Sequence, residues 1–231
     1  MTASRLGVLA GLGPLAGAHF YRRLIELTPA QQDGDHVSVV LVAEPAIPSR
    51  RDFLAGCGVS PVPALQQAAR ELEQVGCDII VMPSTTTHAF YDDVASSVTV
   101  PFLNLLVEVT NALVAAHVSR PAVIATRATV QTQIYEPHFL NRIEPIYPPP
   151  EIQDRIECMI DAVKGGADTE ALRADMDDVA AAGWLADADG ILLACTETPL
   201  IAPTRPGPKL ISATDVLAMA ALRALGRQTG R

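Results

Sequence analysis

The chain has 231 residues and a formal net charge of −9, and 49% of its residues are hydrophobic while only 4% are aromatic. This length allows one domain or two small ones with a substantial aliphatic core. The acidic balance argues against nucleic acids and anionic membrane surfaces as partners, because the chain has no basic stripe that would bind them. An anionic ligand therefore depends on a few local cations.

The cysteines and the N-terminus indicate a reducing compartment. The chain has four irregularly spaced cysteines and no CxxC pair: Cys57, Cys77, Cys158 and Cys195. This spacing favours free thiols in the cytosol over a disulfide framework. The apolar residues 6–10 resemble part of a signal peptide, but the Gly-Leu-Gly-Pro sequence at 11–14 interrupts them early. No apolar run reaches the roughly 20 residues that span a bilayer. We therefore expect a cytoplasmic protein.

Strand and helix patterns alternate along the chain. The predicted strands, each a short apolar run, are residues 6–10, 37–42, 78–82, 122–125 and 190–194. The predicted helices, with apolar residues at three- and four-residue spacing, are residues 15–27, 61–75, 151–164, 169–185 and 214–225. Such alternation indicates parallel sheets with right-handed crossover connections.

The second half of the chain is a faint copy of the first. Segments 78–87 and 189–198 each begin with Asp, continue as an apolar run and reach a small nucleophilic residue followed by hydroxyl-bearing residues. Segments 5–10 and 120–125 match at nearly the same offset. These repeats predict an α/β fold of two pseudo-symmetric three-layer α/β/α subdomains with largely parallel sheets. We expect the active site in the cleft between them.

The predicted subdomains divide the chain near its middle. Residues 1–100 form the N-terminal α/β subdomain, which a C-terminal helix at 212–231 completes, and residues 101–211 form the C-terminal α/β subdomain. Ser84 and Cys195 then follow buried strands, at the end where open α/β sheets bind ligands. One such residue from each half suits removal of a proton from one face of a carbon and its return to the other face.

Six motifs, in order along the chain, resemble those of a known family. They are residues 11–16 (Gly-Leu-Gly-Pro-Leu-Ala), 47–50 (Ile-Pro-Ser-Arg), 83–88 (Pro-Ser-Thr-Thr-Thr-His), 125–129 with Tyr135, 164–165 (Lys-Gly) and 195–197 (Cys-Thr-Glu). Together they resemble the aspartate/glutamate racemase family, the cofactor-independent amino-acid racemases, over essentially the whole chain. The family's counterpart of residues 83–88 reads Pro-Cys-Asn-Thr-Ala-His.

The resemblance implies a two-base mechanism that needs no pyridoxal phosphate. A thiolate on one face removes the α-proton and a thiol on the other face donates a replacement, since thiol pKa values lie near working pH. This implies racemisation of an acidic amino acid, aspartate or glutamate. Cys195 matches the second catalytic cysteine, and Ser84 occupies the position of the first. Cys57, Cys77 and Cys158 are interpreted as small buried hydrophobic residues.

Ser84 departs from the family, and several explanations stay open. A serine hydroxyl is a far weaker acid than a thiol, so Ser84 serves more readily as a proton donor than as a base, helped by Thr85, Thr86 or His88. It is then the weaker member of a native asymmetric pair, or an engineered replacement for cysteine. Alternatively, the protein is a decarboxylase or isomerase of a small dicarboxylate that uses Cys195 alone, or a non-catalytic dicarboxylate-binding protein.

The resemblance also implies the substrate-binding residues. Arg50 and Lys164 match the positions that bind substrate carboxylates, and Arg suits bidentate carboxylate binding. The α-carboxylate and α-amino group are assigned to a further set of polar residues: Thr85, Thr86, Thr126, Thr129, Thr196 and Glu197. Thr85, Ala128 and Ser212 replace the family's Asn, Gly and Asp, which leaves the identity of the substrate open.

No motif indicates a bound cofactor or a metal. The sequence Gly11-Leu12-Gly13 resembles the start of a dinucleotide fingerprint, but Pro14 interrupts the spacing to a third glycine. The other histidines form no pair with a Cys or carboxylate at metal-ligand spacing. We therefore expect no cofactor, no metal, and a small dicarboxylic amino acid as the ligand. The family resemblance further implies a homodimer.

Overall fold

Two parallel β-sheets organise the computed structural model, which describes residues 4–204 and 207–227. The strands are β1 (Arg5–Ala10), β2 (Ser38–Ala43), β3 (Ile79–Val81), β4 (Pro121–Ile124), β5 (Gly190–Leu193) and β6 (Lys209–Ser212). They lie in the order β2-β1-β3 in the first sheet and β4-β5-β6 in the second, and every pairing is parallel. Strands β3, β4 and β5 are buried throughout, as expected when helices cover both faces of a sheet.

Helices flank both sheets and confirm the predicted α/β fold. The α-helices are α1 (Pro14–Leu27), α2 (Arg50–Leu54), α3 (Val62–Gln74), α4 (Tyr91–Ala95), α5 (Leu105–Ala115), α6 (Arg127–Gln131), α7 (Glu136–Phe139), α8 (Pro150–Lys164), α9 (Thr169–Ala181) and α10 (Ala213–Ala224). Short 3₁₀ helices span Asp33–Asp35, Thr86–Phe90 and Thr198–Ile201. Among the described residues, none of these helices has the length and apolar character needed to cross a membrane.

The predicted strands and helices are all present, with ends that differ by a few residues. The largest difference is α9, which ends at Ala181 rather than residue 185, since Gly183 adopts a positive φ of 78°. The sequence pattern misses β6, α5 and the four helices of four or five residues, α2, α4, α6 and α7. Helix α5 is apolar even on its exposed side, where Val107 and Val114 lie, so its helical period is weak. Strand β6 has four residues, of which only Ile211 is buried.

The two halves have the same strand arrangement. A single parallel bridge extends each sheet by one position, from Ile80 to Phe102 in the first sheet and from Ala122 to Ile146 in the second. The orders β2-β1-β3-Phe102 and Ile146-β4-β5-β6 are therefore equivalent when β1 is aligned with β4. Helix α5 follows the last position of the first sheet and α10 follows that of the second. These two helices pack against each other, so one hydrophobic core extends through both halves.

The division into subdomains stays a proposal, and two contacts bear on it. Phe102 pairs with the first sheet, which favours a boundary slightly later than residue 100. Helix α10 contacts α1 of the first half as well as α5. Residues 1–3, 205–206 and 228–231, which belong to the proposed subdomains and to the proposed helix at 212–231, lie outside the described residues.

Two of the cysteines interpreted as buried are exposed. Cys57 lies between Gly56 and Gly58, both with positive φ, in the turn after α2. Cys158 lies on the outer face of α8 together with the exposed Asp154. Only Cys77 is buried as expected. Cys57 is exposed because it lies in a turn, and Cys158 because it lies on the outward face of an amphipathic helix. The residue type alone does not reveal either position in the sequence.

The aspartate that begins each repeated segment caps the start of a neighbouring strand. The Asp78 carboxylate accepts the backbone N–H of Arg5 at 2.7 Å. The Asp189 carboxylate accepts the backbone N–H groups of Ser119 and Arg120 at 2.8 and 2.9 Å, and the Ser119 hydroxyl at 2.9 Å. Burial raises the pKa of Asp189, but these hydrogen bonds outweigh that effect and lower it below the usual value. The repeated Asp thus has the same structural role twice.

Replacing Asp189 with Ala should lower the free energy of unfolding by about 1 kcal/mol near neutral pH, because an exposed carboxylate with charge-assisted hydrogen bonds is lost. A group whose pKa is lowered by folding stabilises the protein above its unfolded pKa, and this contribution disappears as the pH falls through its folded pKa. The difference between wild type and Asp189→Ala in urea denaturation should therefore shrink in acid. The control is Asp187→Ala, since the Asp187 side chain is 77% exposed. An equal effect of both variants would contradict this account.

Candidate active site

One cavity of about 360 Å³ lies where segments from both sheets meet. Residues within 11–14, 45–51 and 84–86 follow β1, β2 and β3, while Thr126 and residues 195–197 follow β4 and β5. The cavity therefore lies at the carboxyl ends of strands from both halves. This is the position at which open α/β sheets bind ligands.

Nine of the ten site residues predicted from sequence line this cavity: Arg50, Ser84, Thr85, Thr86, Thr126, Lys164, Cys195, Thr196 and Glu197. The exception is Thr129, which is buried behind the wall. Its backbone N–H donates to the Thr126 hydroxyl at 3.3 Å, where helix α6 begins. Thr129 was predicted to contact the substrate, and in this structure it instead contacts the cavity-lining residues Thr86 and Thr126.

Hydroxyl groups join the two halves beside the cavity. The Thr85 hydroxyl donates to the carbonyl oxygen of Ala194. Thr86 Oγ1 lies 3.0 Å from both Thr126 Oγ1 and Thr129 Oγ1, which are themselves 3.0 Å apart. The contacts of Thr85 and Thr86 link the segment after β3 with the segments after β5 and β4, and the Thr126–Thr129 contact lies within the segment after β4. They therefore fix the separation of the two strand ends that face the cavity.

Cys195 is a buried thiol that donates to a carboxylate. Its Sγ lies 2.9 Å from Glu197 Oε2. Burial, followed by the negative charge of Glu197, raises the pKa of the Cys195 thiol well above its usual value, and the charge of Lys164 only partly opposes this. In the unliganded protein Cys195 is therefore a thiol rather than a thiolate. A cation placed against Glu197 would make the thiolate easier to form.

The second oxygen of Glu197 is buried without a hydrogen-bond partner among the described residues. Glu197 is only 3% exposed, and it lines the cavity. A Cβ atom at Gly13 would lie 2.5 Å from this Oε1, so the glycine leaves the space that the carboxylate occupies. A buried carboxylate oxygen is costly unless a hydrogen-bond donor or a cation meets it. Burial lowers the pKa of Arg50, and the charge of Glu197 partly opposes this effect, so Arg50 lies within electrostatic reach of the carboxylate. Glu197 Oε1 can therefore accept a hydrogen bond from a cationic group of a ligand.

Three cationic side chains reach the cavity, but they differ in their partners. Arg51 is engaged by Glu157 at 2.6 Å and Asp161 at 2.9 Å. Arg50 donates to the backbone carbonyls of Leu12, Ile47 and Pro48 at 2.9 to 3.2 Å, and it has no carboxylate partner in the described ranges. Lys164, at the end of α8, likewise has no ion pair there. The unpaired cations facing the cavity are therefore the two predicted from sequence, Arg50 and Lys164.

Ser84 has a side-chain partner that sequence reasoning missed. Its Oγ lies 2.7 Å from Oγ1 of Thr87, three residues later at the start of a 3₁₀ helix. His88 was one of three candidates to assist Ser84, but its Nδ1 lies 2.9 Å from the Ser84 carbonyl oxygen and its Nε2 accepts the Leu105 N–H at 3.1 Å. Burial lowers the pKa of His88 to about 4, so the ring stays neutral. His88 therefore orients the loop. The one sequence signal for the contact between Ser84 and Thr87 is their spacing of three residues.

No group of three or more His, Cys, Asp or Glu side chains that could bind a metal occurs in residues 4–204 and 207–227. At the cavity itself, Cys195 and Glu197 are the acidic or sulfur ligands. The cavity instead combines a hydroxyl, a thiol, a carboxylate and two cations. This set can bind a zwitterion and exchange protons with it.

Comparisons with known proteins agree with this composition. The family model of the Asp/Glu/Hydantoin racemases matches residues 9–221. The structure is similar to an aspartate racemase of Picrophilus torridus, with a TM-score of 0.90 and 29% identity, covering 98% of this chain and 96% of that chain. The sequence is 25% identical over 167 residues to the broad specificity amino-acid racemase RacX of Bacillus subtilis, covering 69% of this chain and 70% of RacX. An unliganded arylmalonate decarboxylase, 16% identical with a TM-score of 0.56 over 98% of this chain and 95% of that chain, shares the fold alone.

Replacing Glu197 with Gln should lower the pKa of the Cys195 thiol, because it removes a negative charge that opposes the thiolate. The thiolate fraction is measured as the rate of iodoacetamide alkylation of Cys195 against pH, followed by mass spectrometry. The exposed Cys57 and Cys158 are replaced with Ser in every protein compared.

Glu157→Gln is the matched control, since Glu157 pairs with Arg51 and accepts the Arg127 N–H at 2.7 Å instead. The alkylation midpoint should move to lower pH in Glu197→Gln and stay near its original position in Glu157→Gln. An unchanged or higher midpoint in Glu197→Gln would show that Glu197 does not control the thiol.

Proposed function

Since this chain belongs to the Asp/Glu/hydantoin racemase family, and is thus an amino-acid racemase that works without pyridoxal phosphate, we propose that its substrate is an acidic amino acid such as aspartate or glutamate. The observation that carries the proposal is the convergence of Ser84 and Cys195 on one cavity with Arg50, Lys164 and Glu197. An acidic amino acid has two carboxylates and one ammonium group. Among the described residues, Arg50 and Lys164 have no ion-pair partner and Glu197 Oε1 has no hydrogen-bond partner, which matches those charges.

In the proposed complex, the substrate ammonium group pairs with Glu197 Oε1. This satisfies the buried oxygen that lacks a partner among the described residues. Burial and, after it, the charge of Glu197 raise the pKa of Cys195, and the ammonium group offsets the contribution of Glu197. The thiol proton leaves to water, and the ammonium group remains as the cation that faces Glu197. Substrate binding thereby generates the thiolate that the reaction needs.

The proton then moves between the two faces of Cα. The Cys195 thiolate removes the α-proton from one face, and the cations at the carboxylates stabilise the negative charge that develops. The Ser84 hydroxyl, which lines the same cavity, donates a proton to the opposite face. Donation suits a hydroxyl better than abstraction, since the carbanion is a far stronger base than an alkoxide.

The unequal pair does not make the enzyme one-directional. Two enantiomers have an equilibrium constant of one in water, so kcat/KM is equal in the two directions even where kcat and KM differ. The asymmetry appears instead in isotope exchange. Cys195 can remove and return the α-proton of one enantiomer many times for each inversion.

A decarboxylase of a small dicarboxylate is the second candidate, because it needs one protonating thiol and a protein of that class shares the fold. The unpaired Glu197 Oε1 argues against it, since a malonate-type substrate supplies no ammonium group for this oxygen. A non-catalytic dicarboxylate-binding protein would bind aspartate without exchanging its α-proton. We also propose a homodimer in the cytoplasm, which the mass in solution and the localisation of the protein in cells test.

Cys195→Ala should abolish both α-proton exchange and racemisation, with a loss of about 10²-fold to 10⁴-fold, because it removes one acid/base of the pair. The measurement is NMR in D₂O with L- and D-aspartate and L- and D-glutamate, with chiral chromatography of the same samples. Cys158→Ala, which alters an exposed thiol outside the cavity, is the matched control and should stay active.

The choice of substrates separates the candidate functions. Alanine and lysine, tested in parallel, should react far more slowly than aspartate, whereas comparable rates would favour broad specificity. Release of CO₂ from an arylmalonate without exchange of amino-acid α-protons would favour the decarboxylase. Near-normal activity of Cys195→Ala would contradict the proposed mechanism.

A further inference from the structure

The hydroxyl of Thr87 is the side-chain partner of Ser84, and the two differ in access to the cavity. Their oxygens are 2.7 Å apart, a distance at which either hydroxyl can donate. Thr87 is completely buried and does not line the cavity. Ser84 lines it. The direction of the hydrogen bond therefore decides whether the Ser84 proton faces a ligand.

The donors and acceptors available around Thr87 assign the direction of its hydrogen bond with Ser84. If Ser84 donated, the Thr87 proton would be buried without an acceptor, since no other partner of Thr87 Oγ1 occurs among the described residues. A buried donor without an acceptor is costly. If Thr87 donates instead, its proton is satisfied by Ser84 Oγ. The Ser84 proton is then free to point into the cavity, where a ligand or solvent accepts it.

We propose that Thr87 is a positioning residue that donates its hydrogen bond to Ser84 Oγ and so makes Ser84 the proton donor of one face. This inference rests on the proposed racemisation. In the step concerned, the Ser84 O–H bond breaks and a bond from that proton to the substrate carbanion forms. The electron pair of the O–H bond stays on Oγ as an alkoxide, and the Thr87 hydroxyl stabilises this charge. Solvent then returns a proton to Ser84.

The hydrogen bond between Thr87 and Ser84 affects proton transfer at one face of the substrate only. Cys195, on the other side, donates to Glu197 and has no described contact with Thr87. Loss of the Thr87 hydroxyl should therefore slow protonation by Ser84 without slowing removal and return of the proton by Cys195. Overall damage to the site would lower both rates together. The ratio of the two rates separates these cases, and it does not depend on the fraction of protein that is folded.

The test follows one enantiomer in D₂O, the one whose α-proton still exchanges in the Ser84→Ala variant. NMR and chiral chromatography give its rates of exchange without inversion and of inversion. In Thr87→Val, which keeps the shape but removes the hydroxyl, the ratio of inversion to exchange should fall about 10-fold or more, as expected for loss of a hydrogen bond to a charged group. The exchange rate should change by less than about two-fold, within the range of conservative substitutions away from the reacting group.

Two further variants control the interpretation. Thr87→Ser keeps a hydroxyl and should keep the ratio near that of wild type. In a Ser84→Cys background, Thr87→Val should change the ratio much less than it does beside Ser84, because a thiol is acidic enough to donate without this hydrogen bond.

The possible outcomes separate this inference from the proposed function. An unchanged ratio in Thr87→Val, or a parallel fall of exchange and inversion, would overturn the role of Thr87 and leave the racemase intact. Exchange without inversion in wild type would show that Ser84 donates no proton, and it would overturn both the inference and the proposed racemisation of that substrate while retaining Cys195 as an acid/base. Absence of any exchange in wild type would overturn the proposed function, and the inference with it.

Discussion

The hydrogen bond from the Thr85 hydroxyl to the Ala194 carbonyl joins the two halves of the protein one residue away from Ser84 and from Cys195. A reaction that uses both faces of one carbon depends on a fixed separation of its two acid/base groups, because proton transfer requires the reacting atoms to be near contact. The hydroxyl triangle of Thr86, Thr126 and Thr129 adds a second link between the halves. On the side of the hydrophobic core, the packing of α5 against α10 also holds the two halves together.

The two proposed acid/base residues differ in chemistry because their neighbouring side chains differ. Burial, followed by the charge of the adjacent Glu197 carboxylate, raises the pKa of Cys195 and favours the thiol, and a cation at Glu197 would offset the second of these effects. Ser84 faces only another hydroxyl, and its neighbour His88 is occupied at both ring nitrogens. In the proposed complex, an ammonium group binds Glu197 Oε1, which has no hydrogen-bond partner among the described residues, and this couples recognition of an amino acid to activation of the thiol. Arg50 and Lys164 are proposed to supply the preference for an acidic side chain.

Much of this arrangement could be predicted from the sequence, since it depends on strand ends and on repeats. Apolar runs that stop at Ser84 and Cys195 predict two strand ends at one cavity, and the repeated Asp residues mark equivalent strands. The remainder depends on tertiary contacts that periodicity does not encode. The pairing of Ser84 with Thr87, the space that Gly13 leaves for Glu197, and the place of Thr129 behind the wall are properties of the folded loops. Exposure of Cys57 and Cys158 likewise depends on a turn and a helix face.

The central claim is that Ser84 and Cys195 act on opposite faces of one substrate carbon, and a crystal structure of the Cys195→Ala variant with aspartate tests it most directly. The account predicts the ammonium group against Glu197 Oε1 and the carboxylates at Arg50 and Lys164. It also predicts Cα between Ser84 Oγ and position 195, within roughly 3.5 Å of Ser84 Oγ. Aspartate bound with Ser84 and position 195 on the same face of Cα, or bound outside this cavity, would contradict it.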